Sequence, residues 1–125
     1  MNLMSRLPTV NHTTIIFTTI DRPDMVKRLV GSIRQFYPDI KIIVGDQNAL
    51  SEEMREFYSD NAVERIQLAY DCGVGVGRTE CAMRASTEYI LLCDDDFIFT
   101  PETDLDIPNR ILEQIRLTPG HILRL

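Results

Sequence analysis

Short apolar runs rich in β-branched residues alternate along this chain with segments in which apolar residues recur at helical spacing. The short runs predict four strands, over Thr13–Ile20, Ile40–Gly45, Val63–Ala69 and Tyr89–Cys93. The helical spacing predicts helices over Met25–Phe36, over a short segment after Ser51, over about Arg78–Ser86 and over Ile107–Leu117. Ile122–Leu125 has the pattern of the first residues of a fifth strand.

The alternation of strands and helices predicts an α/β fold. Strands that are joined by helices form an open, mostly parallel sheet with right-handed crossovers and helices on both faces. A continuous apolar run such as Tyr89–Cys93 is typical of a strand that is buried on both faces. The length fits a single domain over residues 1–125. Because the fifth strand has no room to finish, we expect a Rossmann-like half that is incomplete at its C-terminus.

Acidic residues follow all four predicted strands. Asp21 follows the first, Asp46 the second, Asp71 the third and Asp94–Asp96 the fourth. Ligands of open α/β sheets bind outside the carboxyl ends of the strands, so these acids are expected to share one ligand-binding edge. Taken singly, each of Asp21, Asp46 and Asp71 is more often a turn or cap residue.

Asp94, Asp95 and Asp96 concentrate negative charge at one strand end. Two carboxylates about 4 Å apart repel each other by roughly 4 kcal/mol at an effective dielectric constant of about 20, so a nearby cation or water is needed. In an extended segment, Asp94 and Asp96 would share one side. Mg²⁺ or Mn²⁺ typically takes one or two protein carboxylates together with water and substrate phosphates. The sequence therefore favours a divalent metal site over the alternative, a solvated acidic turn.

The segment Gly73–Arg78 lies between the third predicted strand and its helix. Backbone amides and a helix N-terminus at this position could bind an anion, and Arg78 could add a charge-assisted hydrogen bond. The segment matches neither the Walker motif nor the Rossmann fingerprint. A phosphate-binding loop is predicted, and the alternative is a flexible tight turn.

The composition narrows the classes of partner. The net charge of −6 argues against nucleic acid and anionic membrane, which need clustered lysine and arginine. No apolar stretch approaches the roughly 20 residues of a membrane span. Cys72, Cys81 and Cys93 are odd in number and lack CxxC spacing, so we expect reduced thiols in the cytoplasm and no zinc site. His12 and His121 lie outside the strand-end pattern and are interpreted as structural or surface residues.

Taken in order, these segments resemble the nucleotide-binding half of a family 2 glycosyltransferase with the GT-A fold. The resemblance covers about residues 13–125 and is carried by Thr19–Pro23, Ile42–Asp46, Gly73–Arg78 and Glu88–Asp96. Within the family, Tyr70–Gly73 together with Leu92–Phe97 is similar to the N-acetylgalactosaminyltransferase branch.

The resemblance implies a metal-dependent transferase domain that binds a UDP-sugar donor for transfer to an acceptor hydroxyl. The implied donor-binding residues are Thr19, Asp21, Asp46, Asp71, Arg78, Asp94 and Asp95, and the implied ligands of Mn²⁺ or Mg²⁺ are Asp96 and Asp94. The loop Thr19–Asp21 and Asp46 would hold the uridine, and Arg78 would lie near the phosphates. The family's acceptor site and catalytic carboxylate come after the matched region, so the base is expected beyond Leu125.

This chain departs from many members of the family at Thr18 and Ile20, where they carry a proline and an aromatic residue, which leaves base stacking in this loop open. The main alternative is a nucleotide-sugar-binding module without catalysis. A phosphorelay receiver needs an acid pair after the first strand and a lysine after the fifth, but no lysine follows Lys41. A haloacid-dehalogenase-like phosphatase could use Asp94 and Asp96, but that motif should begin the fold.

Overall fold

Strands and helices alternate along residues 12–105, the part of the chain that this computed structural model describes. The strands are β1 (Thr13–Thr19), β2 (Lys41–Asp46), β3 (Val63–Gln67) and β4 (Tyr89–Leu92), and the helices are α1 (Pro23–Phe36), α2 (Glu52–Asp60) and α3 (Val74–Arg84). The predicted α/β class is confirmed. The predicted helix at 107–117 and the predicted strand at 122–125 lie outside the described residues. No helix within residues 12–105 has the length and apolarity needed to cross a membrane.

All four strands of the sheet are parallel, in the order β3-β2-β1-β4. The chain proceeds from β1 outward to β2 and β3, and it then returns through α3 to the opposite side of β1. The strand order therefore reverses between β1 and β4, which opens a crevice at their carboxyl ends. In the register, Thr19 is opposite Asp46, and Asp46 is opposite Gln67, so three strands end level with one another.

Residues that favour a helix N-terminus lie at the start of α1 and of α2. Pro23 occupies the first turn of α1, where its fixed φ suits the helix and its missing N–H is not needed. Ser51 caps α2, because its Oγ accepts a hydrogen bond of 3.1 Å from the Met54 N–H. The inner face of α1 then buries Val26, Leu29, Val30 and Ile33.

Helices cover both faces of the sheet, as predicted. Alternate residues of β1 and β2 point to opposite faces. On one face, the core contains residues of the strands and of α1 and α2: Ile15, Phe17, Ile42, Val44, Leu29 and Tyr58 are among them. On the other face, Ile16, Ile43, Ile66 and Leu68 pack with Cys81 of α3. The two layers hold the sheet rigidly beneath its carboxyl edge.

The prediction that the fourth strand is buried on both faces is wrong. Leu91 and Cys93 pack against the first core, but Ile90 is 40% exposed and Leu92 is 50% exposed. Within residues 12–105, β4 is an edge strand, and α3 packs over β1 and β2 and leaves that side of β4 uncovered. The apolar run Tyr89–Cys93 therefore predicted the strand correctly. The burial of this strand depends on the position of α3, which the run does not indicate.

Candidate functional site

A cavity of about 390 Å³ opens at the crevice between the carboxyl ends of β1 and β4. Its lining consists of Thr18, Thr19, Ile20, Arg22, Gln47, Asp71, Gly73, Val74, Asp94, Asp95 and Asp96. The structure thus brings together Thr19, Asp71 and the three consecutive aspartates, as predicted from the strand ends. We call this space the larger cavity.

A neighbouring smaller cavity of about 200 Å³ lies beside the end of β2. It is lined by Thr19, Asp21, Pro23, Val26, Asp46, Asn48, Ala49, Ser51, Met54 and Tyr58. Asp21 and Asp46 therefore belong to this second space. Thr19 lines both cavities and joins them at the end of β1.

The glycine-rich segment is the beginning of α3, and the prediction of a loop followed by a helix from Arg78 is wrong. Gly73 precedes the helix with a φ of 98°, and α3 runs from Val74. A Cβ atom on Gly77 would lie 2.4 Å from Thr18 Cγ2, so glycine is what allows α3 to approach the end of β1. The N-terminus of α3 consequently lies at the wall of the larger cavity, where Gly73 and Val74 line it.

The three aspartates occupy a turn, since the Phe97 N–H donates to the Asp94 carbonyl oxygen at 3.0 Å, and the segment is not extended. Asp95 is buried and accepts hydrogen bonds from Thr19 Oγ1 at 2.9 Å and from Arg22 Nη1 at 3.2 Å. These two bonds attach the turn to the end of β1. Asp95 is therefore oriented toward the protein, and its neighbours face solvent.

The two exposed aspartates differ in their partners. Asp94 Oδ1 accepts a hydrogen bond of 3.0 Å from Arg78 Nη2 of α3, which forms an ion pair at the cavity. Arg28 donates to the main-chain oxygen of Asp96 at 2.9 Å. Within the part of the chain that the structure describes, the Asp96 carboxylate makes no hydrogen bond and no ion pair. Among those same residues, no cluster of three or more histidine, cysteine, aspartate or glutamate side chains is arranged to hold a metal.

Asp46 is only 2% exposed, and its carboxylate is fully engaged. Arg65 Nε donates to Oδ2 at 2.8 Å, and Tyr58 Oη donates to the same oxygen at 3.4 Å. Oδ1 accepts from the main-chain and side-chain nitrogens of Asn48, each at 2.9 Å. Burial and the negative charge of Asp46 raise the pKa of Tyr58, so the phenol stays protonated as a donor. Asp46 thus holds Asn48 and Arg65 in place.

Asp21 and Asp71 share an uncommon backbone conformation, with φ values of 56° and 57°. Aspartate tolerates this left-handed region better than most residues, and it often does so at functional sites. Asn48 Oδ1 accepts a hydrogen bond of 2.8 Å from the Asp21 N–H, and Tyr70 Oη donates to Asp21 Oδ2 at 2.6 Å. This hydrogen bond and the charge of Asp21 raise the pKa of Tyr70. The loops after β1, β2 and β3 are therefore linked.

Gln47 connects the same edge to α3. Its main-chain N–H donates to the Thr19 carbonyl oxygen at 3.1 Å, and its Oε1 accepts from the Gly73 N–H at 3.3 Å. Gln47, Asn48, Arg22, Arg65 and Tyr70 were not predicted as site residues. Gln47 and Asn48 directly follow Asp46, so their strand-end position was an available signal. Arg65 lies within β3 and carried no such signal.

The histidine interpretation is confirmed for His12, which is partly exposed and whose Nδ1 lies 3.1 Å from Glu88 Oε1, away from both cavities. His121 lies outside the described residues. Cys72, Cys81 and Cys93 form no disulfide with one another. Cys93 is buried in the core on one face of the sheet, Cys81 is buried in the core on the other face, and Cys72 is half-buried in the loop that precedes α3. None of these residues completes a metal site within residues 12–105.

Comparison with known proteins identifies the family. The glycosyl transferase family 2 model matches residues 14–113. β-1,4 N-acetylgalactosaminyltransferase 2 of Mus musculus is 36% identical over 107 residues, which cover 86% of this chain and 20% of that protein. β-1,4 N-acetylgalactosaminyltransferase 1 of Homo sapiens is 32% identical over 106 residues, which cover 85% of this chain and 19% of that protein. The chain therefore spans about a fifth of the length of these relatives.

A solved structure supports the fold. S. aureus TarS 1–349 in complex with UDP has a TM-score of 0.68 and 15% sequence identity, over 90% of this chain and 38% of that one. The match confirms the predicted sheet with helices on both faces as a fold shared with a larger protein. Since the family model matches residues 14–113 and the two relatives are 36% and 32% identical to this chain over the aligned residues, this chain belongs to glycosyl transferase family 2.

Proposed function

We propose that this chain forms the donor-binding part of a glycosyltransferase and that the two cavities bind the UDP portion of a sugar nucleotide. The observation that carries the proposal is the position of the larger cavity. It lies where the strand order reverses, with the N-terminus of α3 on one side and Asp94–Asp96 on the other. Open parallel sheets bind their ligands at such a crevice. The structural neighbour solved with UDP and the names of the relatives support a UDP-sugar as the ligand.

Two features of the larger cavity suit a diphosphate. The first N–H groups of α3 and the positive end of its dipole lie at the cavity wall, where they favour an anion. Arg78 follows one turn later and donates to Asp94. An incoming diphosphate competes with Asp94 for this guanidinium, because arginine forms charge-assisted hydrogen bonds with both groups. We therefore expect Arg78 to contact the phosphates in the complex.

The oxygen atoms at the mouth of the larger cavity fit Mg²⁺ or Mn²⁺. Asp94 and Asp96 are exposed carboxylates, and the Asp96 carboxylate has no partner within residues 12–105. Such an ion needs only one or two protein carboxylates when a diphosphate and water supply its other ligands, so a preformed three-residue cluster is not required. Asp96, together with Asp94, would hold the ion. When bound, the metal would neutralise the charge that develops on the departing diphosphate.

The smaller cavity suits the uridine. Thr19 lines both cavities, so a ligand can extend from one to the other. Asp21 and Asn48 provide polar side chains at this second space, and their positions are fixed by the hydrogen bond between the Asp21 N–H and Asn48 Oδ1. Asp46 supports the uridine site from beneath, because its buried carboxylate orients Asn48. Asp71 lines the larger cavity together with Thr19, beside the proposed uridine site.

Sugar transfer also requires a base that removes the proton of the acceptor hydroxyl. At the larger cavity, Asp94 and Asp95 are paired with arginines, and we assign Asp71 to the donor and Asp96 to the metal. We therefore place the base and the acceptor contacts outside residues 12–105. The same pairing favours the second candidate function for this chain taken alone, a nucleotide-sugar-binding module without turnover.

Calorimetric titration of the 125-residue chain with UDP, with and without Mn²⁺, tests the proposal. We expect binding that strengthens with metal, and we expect Asp96→Asn to remove the metal dependence while the fold is retained. Asp60→Asn is the matched control, because Asp60 is an exposed aspartate at the end of α2, on the opposite edge of the sheet. An unchanged metal dependence in Asp96→Asn would contradict the assignment of Asp96.

A transfer assay with UDP-sugars then separates the two candidate functions. Metal-dependent binding without sugar release or transfer supports the module, and turnover supports the enzyme. If the chain fails to bind UDP even with saturating metal, both candidates are wrong.

A further inference from the structure

Tyr70 is an exposed aromatic residue in a fixed position at the edge of the site. Its side chain is 66% exposed, whereas Tyr37 and Tyr58 are buried in the core. Its hydroxyl donates a hydrogen bond of 2.6 Å to Asp21 Oδ2. An exposed tyrosine normally has free choice of rotamer, so this contact restricts the ring to one orientation at the surface.

Asp21, which accepts the hydrogen bond from the Tyr70 hydroxyl, is itself fixed by a hydrogen bond to Asn48. The Asp21 N–H donates to Asn48 Oδ1 at 2.8 Å, and Asn48 is bound to the buried Asp46 carboxylate. Asp21 adopts a left-handed backbone conformation, which turns the loop after β1 sharply. The position of the Tyr70 ring therefore depends on a chain of hydrogen bonds that begins in the protein core.

Tyr70 lines neither cavity, but it connects residues of the two. Its main chain precedes Asp71, which lines the larger cavity, and its hydroxyl contacts Asp21, which lines the smaller one. The ring is thus held in one orientation, largely exposed and close to a residue of each space. An aromatic ring with these properties is suited to stack on another planar ring.

We infer that Tyr70 is the stacking surface for the base of the nucleotide, held in orientation by Asp21. The inference rests on the proposed function, because it assigns a subsite to the nucleotide proposed for the same edge. The loop Thr18–Ile20 offers no aromatic ring, so a stacking partner must come from another loop. Tyr70 follows β3, and it reaches the loop after β1 through Asp21. Tyr70 is therefore a specificity-determining residue for ligands that carry a base.

The test compares ligands with and without a base. UDP and inorganic pyrophosphate, both with Mg²⁺, are titrated into the chain and into Tyr70→Ala, Tyr70→Leu and Tyr70→Phe. Loss of a base–aromatic stack weakens binding by about 5- to 150-fold, so we expect this loss for UDP in Tyr70→Ala. Tyr70→Leu should lose a similar factor because leucine has no aromatic face. Tyr70→Phe should bind UDP more tightly than either, since it keeps the ring and loses only the anchor.

Met83→Ala is the matched control, because Met83 is 77% exposed near the C-terminal end of α3, whereas the N-terminal end of that helix lies at the larger cavity. Pyrophosphate affinity should stay unchanged in every variant, which also reports that each variant is folded. Equal losses for UDP and pyrophosphate, or full UDP affinity in Tyr70→Ala, would overturn the role of Tyr70 and leave the proposed function standing. Absence of UDP binding to the wild-type chain would overturn both.

Discussion

Gly77 allows α3 to pack against the end of β1, and its replacement by alanine tests this contact directly. A Cβ atom at this position would lie 2.4 Å from Thr18 Cγ2 and 3.2 Å from Thr18 Cβ. Threonine is β-branched and has few rotamers, so Thr18 cannot simply turn away. Overpacking of this kind costs about 1–3 kcal/mol. Alanine also favours the helix over glycine by about 1 kcal/mol, so the net loss of stability is about 0–2 kcal/mol.

Gly75 provides the comparison that isolates the clash. It lies in the same helix, and a Cβ atom there would meet nothing within 4 Å. Gly75→Ala should therefore gain helix propensity and raise the free energy of unfolding by about 0.5–1 kcal/mol. The difference between the two variants should be about 1–3 kcal/mol, which is the cost of the contact with Thr18.

Urea denaturation followed by circular dichroism measures both variants against the wild type. Thr18→Ser removes Cγ2, so the double variant Gly77→Ala with Thr18→Ser should recover most of the difference. Equal stability of the Gly77→Ala and Gly75→Ala variants, or no recovery in the double variant, would refute the close approach of α3 to β1. That approach brings the N-terminus of α3 to the larger cavity, so the result also bears on the proposed phosphate contact.

Three other predictions concern buried groups. Asp46→Ala should lower the free energy of unfolding by about 3 kcal/mol in urea, because it leaves the largely buried Arg65 guanidinium without its partner; a loss below 1 kcal/mol would contradict the ion pair's role. Burial raises the pKa of Cys81 to about 11 and that of Cys93 to about 12, so both should resist a thiol reagent at pH 8 and react only after unfolding, whereas the half-buried Cys72 should label first. The folded state keeps the Cys93 proton above its usual pKa of 9.0, while the unfolded state loses it, so stability should fall as the pH rises from about 9 toward 12. Burial also raises the pKa of Cys81, so thermal unfolding of the wild type is compared with that of Cys93→Ala across this range, and an equal decline in the two would contradict the role of Cys93.

The strands could be predicted from the sequence because each contains β-branched or other apolar residues in a short segment between turn residues. The start of α3 could not be predicted from the sequence. Gly73, Gly75 and Gly77 have low helix propensity, and the segment that contains them shows no apolar residues at helical spacing. The helix begins there because it packs against β1, a contact between residues about 60 positions apart in the sequence. The prediction that β4 is buried on both faces failed for a related reason. The position of α3 across the sheet decides which strands this helix covers, and it covers β1 and β2.

The strand-end acids could be grouped from the sequence because parallel strands deliver their carboxyl ends to one edge. The environment of each individual aspartate could not be predicted from the sequence. Asp46 and Asp95 are buried and bound by donors, whereas Asp94 and Asp96 are exposed. This division depends on partners such as Arg65, which lies on another strand, and nothing in the local sequence around an aspartate specifies such a partner. The position of each aspartate after a strand predicts that it lies at the carboxyl edge of the sheet. Whether that aspartate is buried and bound, or exposed, depends on tertiary contacts.

Charge repulsion among three consecutive aspartates first indicated a bound cation, but much of that repulsion is offset within the protein. Arg78 pairs with Asp94, and Arg22 pairs with the buried Asp95, so two of the three negative charges have a positive partner. The Asp96 carboxylate has none within residues 12–105. Repulsion among the three therefore does not by itself require an external cation, and Asp96 is the carboxylate that is left for one to bind. One carboxylate is sufficient for a Mg²⁺ or Mn²⁺ ion that takes its other ligands from a diphosphate and water, which is the arrangement that the proposed function would require at Asp96.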